Sequence, residues 1–179
     1  MVAHISSTAL KQLYRYWSDK RVDRTLPSRG DIDPGELKGL LPNVTLIDVE
    51  LSPRRYLVRL AGTQVVAGYG EEQTGRYLHE LDFGDIGDQT LAMMDDIVEF
   101  HRPSYASGEF QKRNGKCIRF ERLAMPLSSD GAVVDKILGG VVFVPLRALE
   151  SSLSSRPLRR RVRYRMRRPM CRTKFMEAV

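Results

Sequence analysis

The Asn114-Gly115 pair constrains this chain more than any other feature. It lies between two β-prone segments, residues 105–111 and 117–127. Both central positions of a two-residue hairpin turn need positive φ, which Gly adopts freely and Asn tolerates. The pair therefore predicts an antiparallel hairpin in the second half of the chain. A second hairpin is predicted earlier. Residues 44–50 are short and β-rich, Ser52-Pro53 turns the chain, and Arg55-Tyr56-Leu57-Val58-Arg59-Leu60 alternates as a half-exposed strand does. After a looser turn at Ser128-Ser129-Asp130-Gly131, the apolar run 140–146 predicts a buried central strand that closes before Pro145.

Helical periodicity fills the gaps. Leu10, Leu13, Tyr14 and Trp17 make one apolar face, with Ser6, Ser7 and Thr8 as caps ahead of it, so a helix is predicted over about residues 8–20. Asp33-Pro34-Gly35-Glu36 reads as a helix start for Leu37, Leu40 and Leu41, with Pro42 as the stop. Residues 61–88 are Gly-rich and broken. Leu91, Met94, Val98 and His101 then fall along one side of a third helix that Pro103 ends. Five strands arrive as two and then three, with helices between them. That order predicts an α+β fold: one five-stranded antiparallel sheet with helices on one face and an N-terminal helical extension.

The 179 residues suffice for a real core and hold no apolar run long enough to span a membrane. The first residues lack the pattern of a secretion signal. Cys117 and Cys171 lie far apart, in no metal-like spacing, and two free thiols suit a reducing cytosol, so a cytoplasmic protein is expected. The net charge of +7 is unevenly placed. Residues 1–155 hold 19 Lys and Arg against 21 Asp and Glu, whereas residues 156–179 hold 10 against one. The body is therefore nearly neutral, and the last segment carries +9.

The centre of the chain, Ala67-Gly68-Tyr69-Gly70-Glu71-Glu72-Gln73-Thr74-Gly75-Arg76, resembles the PAS family. Gly68 and Gly75 would allow tight turns on either side of a one-turn helix, with Tyr69 packed beneath it. The N-terminal half is similar to a branch of short stand-alone bacterial PAS proteins. Its pieces are Leu13-Tyr14-Arg15-Tyr16-Trp17, Pro27-Ser28-Arg29-Gly30-Asp31-Ile32-Asp33-Pro34, Leu40-Leu41-Pro42 and Arg59-Leu60-Ala61-Gly62-Thr63. The resemblance covers about residues 8–148. It implies strand order 2-1-5-4-3, a concave sheet face that can enclose a small molecule, and a role in sensing or dimerisation. The expected division is a helical extension at 1–43, a PAS-like core at 44–148 and a basic tail at 149–179.

Candidate pocket residues are Tyr69, Arg76, Met94, His101, Phe120 and Arg122. Arg122 shares a strand face with Ile118 and Phe120, so it is the arginine expected to point inward. A buried arginine needs a partner, and Glu50, Glu109 or a ligand carboxylate could supply it. His101 could bind haem, as a histidine on the corresponding helix does in some PAS domains, or could be a core-edge histidine at a helix end. Flavin photochemistry would need a reactive cysteine in a segment that nothing here matches. Asp95 and Asp96 face about 100° apart on a helix and make no acid–base pair. With no Ser-His-Asp arrangement, phosphate loop or zinc motif, the expectation is a protein that is not an enzyme.

Leu10, Leu13, Tyr14 and Trp17 could cover the chain's own sheet or pair with a twin helix in a homodimer. With no output domain in sight, any signal must pass to a separate signalling protein. The basic segment offers Arg159, Arg160, Arg161, Arg163, Arg165, Arg167 and Arg168 to a nucleic acid or an anionic membrane surface. The expected function is thus a PAS sensor or regulatory module, with polyanion binding through the tail as the alternative.

Overall fold

The computed structural model describes residues 4–22, 24–112, 115 and 117–144, and the backbone of 173–176. Strands β1 (Val44–Leu51) and β2 (Arg54–Ala61) form the first hairpin. Strands β3 (Ser104–Gln111) and β4 (Cys117–Leu127) form the second, closing through Gly115 at a φ of +84°. Strand β5 (Lys136–Val144) lies between β1 and β4 and pairs antiparallel with both. The order is β2-β1-β5-β4-β3, and a short strand β6 (Thr173–Met176) runs antiparallel along the outer edge of β3. Four residues of the segment expected as a tail thus belong to the sheet.

The period of two in β4 sorts its side chains between two layers. Ile118, Phe120, Arg122 and Ala124 face helices α2 (Thr63–Tyr69) and α3 (Gly87–Phe100). Glu121, Leu123 and Met125 face helix α1 (Thr8–Asp19) on the opposite side. Helix α1 starts where Ser7 caps it and where the Glu121 carboxylate accepts the Ser6 and Ser7 N–H groups. It buries Leu10, Leu13 and Trp17, and the Trp17 indole donates to the Pro126 carbonyl at 2.9 Å. Gly140 makes room for this packing: a Cβ there would stand 2.6 Å from Leu13 and 2.8 Å from Leu10.

Three sequence expectations change. Residues 34–40 form successive turns rather than a helix, because Gly35 and Gly39 weaken a segment too short to nucleate one. Asp33 accepts from the Gly35 N–H at 2.7 Å, which closes a local turn, while Glu36 pairs with Lys20 at 2.6 Å. The central strand begins at Lys136, ahead of the apolar run, and its most buried stretch is Ile137–Val141. Finally, Gly68 is not a turn residue. It lies inside α2, where a Cβ would overlap the Phe143 ring at 2.0 Å. The left-handed glycine that ends α2 is Gly70, at φ +76°.

Candidate ligand-binding cavity

Between the sheet and α2–α3 lies a cavity of about 30 Å³. Strands β1 and β2 contribute Thr45, Ile47 and Val58, and α2 contributes Val65 and Tyr69. Gln73, Leu78 and Phe83 close one side from the connecting segment, Thr90 and Met94 reach in from α3, and β4 and β5 supply Arg122 and Val141. The walls are mostly aliphatic or aromatic. Tyr69 meets Phe83 and Phe143 edge-on, with centroids 5.4 and 4.9 Å apart, which fixes its ring at the cavity wall.

Arg122 is the exceptional group in this chamber. It is 5% exposed. Its Nη1 donates to the Thr90 hydroxyl at 3.2 Å, and that hydroxyl in turn donates to the Ile86 carbonyl at 2.8 Å. Its Nε and Nη2 are buried without a hydrogen-bond partner among the described residues. The guanidinium carbon lies 5.6 Å from the Phe120 ring centre, a cation–π contact that offsets part of the desolvation. Burial lowers the Arg122 pKa and raises that of Tyr69, and each group opposes the other's shift because the phenol lies beside the guanidinium. Gln73 is 3% exposed.

The anions that could neutralise Arg122 are engaged elsewhere. Glu109 binds Arg119, while Glu50 binds Arg55 at 2.6 Å and accepts from the Tyr77 hydroxyl. Glu71 holds Arg76 at 3.0 Å and the buried Lys112 at 3.5 Å. Lys112 also donates to the Tyr69 carbonyl at 2.6 Å, which ties the end of α2 to the strand β3 side of the chamber.

Of the pocket residues expected from sequence, Tyr69, Met94 and Arg122 line the cavity. Phe120 lies beneath Arg122, 1% exposed, and stacks edge-on with Phe110. Arg76 lies outside: it pairs with Glu71 and donates to the Glu80 carbonyl. His101 is also outside. It caps the C-terminus of α3 in the left-handed conformation at φ +55°, which turns it off the face that buries Thr90, Met94 and Ile97. The residue types along the cavity wall offer no haem-ligating histidine. Sequence reasoning missed Thr45, Gln73 and Thr90. Thr90 precedes Met94 by one helical turn and Thr45 precedes Ile47 by one strand period, so both were in phase with apolar wall residues.

Leu10, Leu13 and Trp17 are each 1% exposed and pack on the chain's own sheet, with Tyr14 half-buried against Trp17. The seven candidate arginines between 159 and 168 lie outside the described residues, as does Cys171. No helix among the described residues is long and apolar enough to cross a membrane, and no cluster of His, Cys, Asp and Glu there could hold a metal ion.

A single antiparallel sheet with helices α2 and α3 walling an internal chamber on one face defines a domain of the α+β class. The family profile described as PAS domain matches residues 5–142, and the chain belongs to that family. Among solved structures, it is similar to the Rhodobacter sphaeroides LOV protein, at 16% identity and a TM-score of 0.48, over 69% of this chain and 75% of that one. It is also similar to VqmA bound to DPO, at 13% identity and a TM-score of 0.49, over 66% and 60% of the two chains. Vibrio cholerae VqmA in the absence of target DNA is comparable, at 11% identity and 0.49, over 64% and 52%. No curated protein matches the sequence.

Proposed function

We infer that this protein is a sensory or regulatory module that binds a small molecule between its sheet and helices α2 and α3. The observation that carries this is the chamber itself: an apolar space into which Thr45, Tyr69, Gln73, Thr90 and Arg122 bring polar groups. Apolar walls with a few convergent polar groups are the usual make-up of a ligand site. Occupancy is then relayed to a separate signalling protein or a second copy of the chain. A second copy must meet a surface other than the α1 stripe, which is already buried. Native mass spectrometry of the undenatured protein, with near-ultraviolet and visible absorbance, tests the reading. A retained small molecule supports it. An empty protein that binds none of a panel of neutral, cationic and anionic small molecules refutes it.

The charge distribution favours a second role, binding of a polyanion through residues 156–179, which carry +9. Replacing Arg159, Arg160, Arg161, Arg163, Arg165, Arg167 and Arg168 with Gln while leaving residues 173–176 intact should abolish salt-sensitive binding to DNA or anionic vesicles. Unchanged binding rules this role out.

A further inference from the structure

We propose that the ligand of the chamber is a small monocarboxylate, held side-on by the Nε and Nη2 of Arg122; this rests on the chamber being the sensory site. The two unpartnered nitrogens lie on one edge of the guanidinium, with their N–H bonds nearly parallel. That edge matches the two oxygens of a carboxylate and forms the bidentate pair that arginine favours. The third nitrogen is already held by Thr90, so the fork is fixed in orientation before any ligand enters. A fixed fork is preorganised and loses little freedom on binding.

Charge narrows the class. Arg122 remains a cation even when buried. Among the described residues no carboxylate pairs with it, because Glu50, Glu71 and Glu109 are committed to Arg55, Arg76 and Arg119. One anionic charge from outside completes the site. A phosphate dianion would bring a second negative charge into a chamber whose wall offers one cation. Lys112, the other buried cation nearby, is shared between the Tyr69 carbonyl and Glu71.

Size and polarity narrow it further. A cavity of about 30 Å³ holds no more than a few water-sized groups. The lining also includes Ile47, Val58, Val65 and Met94, apolar surface that suits a short alkyl tail. The flexible Met94 side chain is the wall group best able to yield to it. Acetate, propionate and butyrate are the natural probes.

The test is calorimetric titration of the full chain with these three acids, with propionamide as the neutral isostere of propionate, and with inorganic phosphate. At least one acid should bind saturably at one site, and propionamide and phosphate should bind at least tenfold more weakly. Arg122→Met should lose at least tenfold in carboxylate affinity, and Arg122→Lys should fall between, since it keeps the charge without the fork. Equal binding of propionate and propionamide, a preference for phosphate, or carboxylate affinity unchanged in Arg122→Met would each overturn the proposal. The acid–amide comparison uses the unmodified chain, so it decides the matter even if a variant fails to fold. A neutral molecule that binds equally with and without Arg122 sinks the carboxylate assignment and leaves the sensory reading standing. Failure of every small molecule to bind sinks both.

Discussion

Replacing Trp17 with Ala measures how much of the fold rests on the N-terminal helix. Trp17 is 1% exposed, and it is the only tryptophan in the chain. A buried indole removes about 150–250 Å² from water, and at about 25 cal/mol per Å² that is a gross 4–6 kcal/mol. Residual structure in the unfolded chain lowers this by roughly 10–40%. The substitution also strips the Pro126 carbonyl of its 2.9 Å donor, and leaving a buried acceptor unmet costs about 1–3 kcal/mol. Part of the void will close, so a net loss of about 4 kcal/mol is expected, within the range measured for such truncations. With a urea slope of about 2 kcal/mol per M, the unfolding midpoint should fall by about 2 M. Circular dichroism must report it, since the variant lacks the fluorophore. The loss should be the same at two protein concentrations about tenfold apart, because the stripe packs on its own sheet. A loss under about 1 kcal/mol, or one that appears only at high concentration, would show that Trp17 instead serves an interface between copies.

Arg122→Met should leave the ligand-free protein equally stable or stabilise it by about 1–4 kcal/mol, because it removes a buried charge with two unmet donors. A melting temperature that falls by several degrees would show that Arg122 is a structural residue. Gly62→Ala should destabilise by about 2 kcal/mol or more, since its Cβ would stand 2.2 Å from the Leu41 carbonyl oxygen and 2.4 Å from that of Pro42. Backbone cannot swing aside as a side chain can, and a neutral effect in denaturant unfolding would refute this close approach. Asp31 binds Arg24 at 2.7 Å and accepts from the Ser28 N–H and hydroxyl, and these donors hold its carboxyl well below the usual range. Asp31→Asn should therefore cost about 1 kcal/mol at neutral pH. A lowered carboxyl pKa stabilises above the unfolded value of about 3.9 and loses that contribution as pH falls toward the lowered one. The gap between wild type and Asp31→Asn should thus close below about pH 4, and a gap independent of pH would refute the assignment.

The sheet was legible because its signals are local. Alternation fixes which residues of a strand share a face, and a Gly at positive φ fixes the β3–β4 turn. The family pieces were legible as words but not as contacts. Leu40-Leu41-Pro42 and Arg59-Leu60-Ala61-Gly62-Thr63 are far apart in sequence, yet the Leu41 and Pro42 carbonyls press against Gly62. Likewise Tyr16 of the first piece accepts the Asp33 N–H at 2.8 Å in the second. These pieces brace the extension against the core, and none of them lines the chamber except through the strand they lead into. The turns at 34–40 were read as a helix because capping residues are common to helix starts and to local turns, and only the paired glycines separate the two.

The chamber was legible where polarity broke an apolar phase. Arg122 follows Phe120 by one strand period, and the same rule applied to β1 and α3 selects Thr45 beside Ile47 and Thr90 one turn before Met94. Gln73 escapes the rule because it lies in a connecting segment with no period, between exposed Glu72 and Thr74. His101 misled because helical spacing was extended through a residue that had already left the helix at φ +55°. Each polar group at an inward position is costly unless its hydrogen bonds are met. Thr90 meets the Ile86 carbonyl, and Arg122 meets Thr90 with one nitrogen. The remaining edge of the guanidinium meets no hydrogen-bond acceptor at bonding geometry among the described residues, with the Tyr69 phenol as its polar neighbour, and that unmet demand is what specifies the chemistry of the proposed guest.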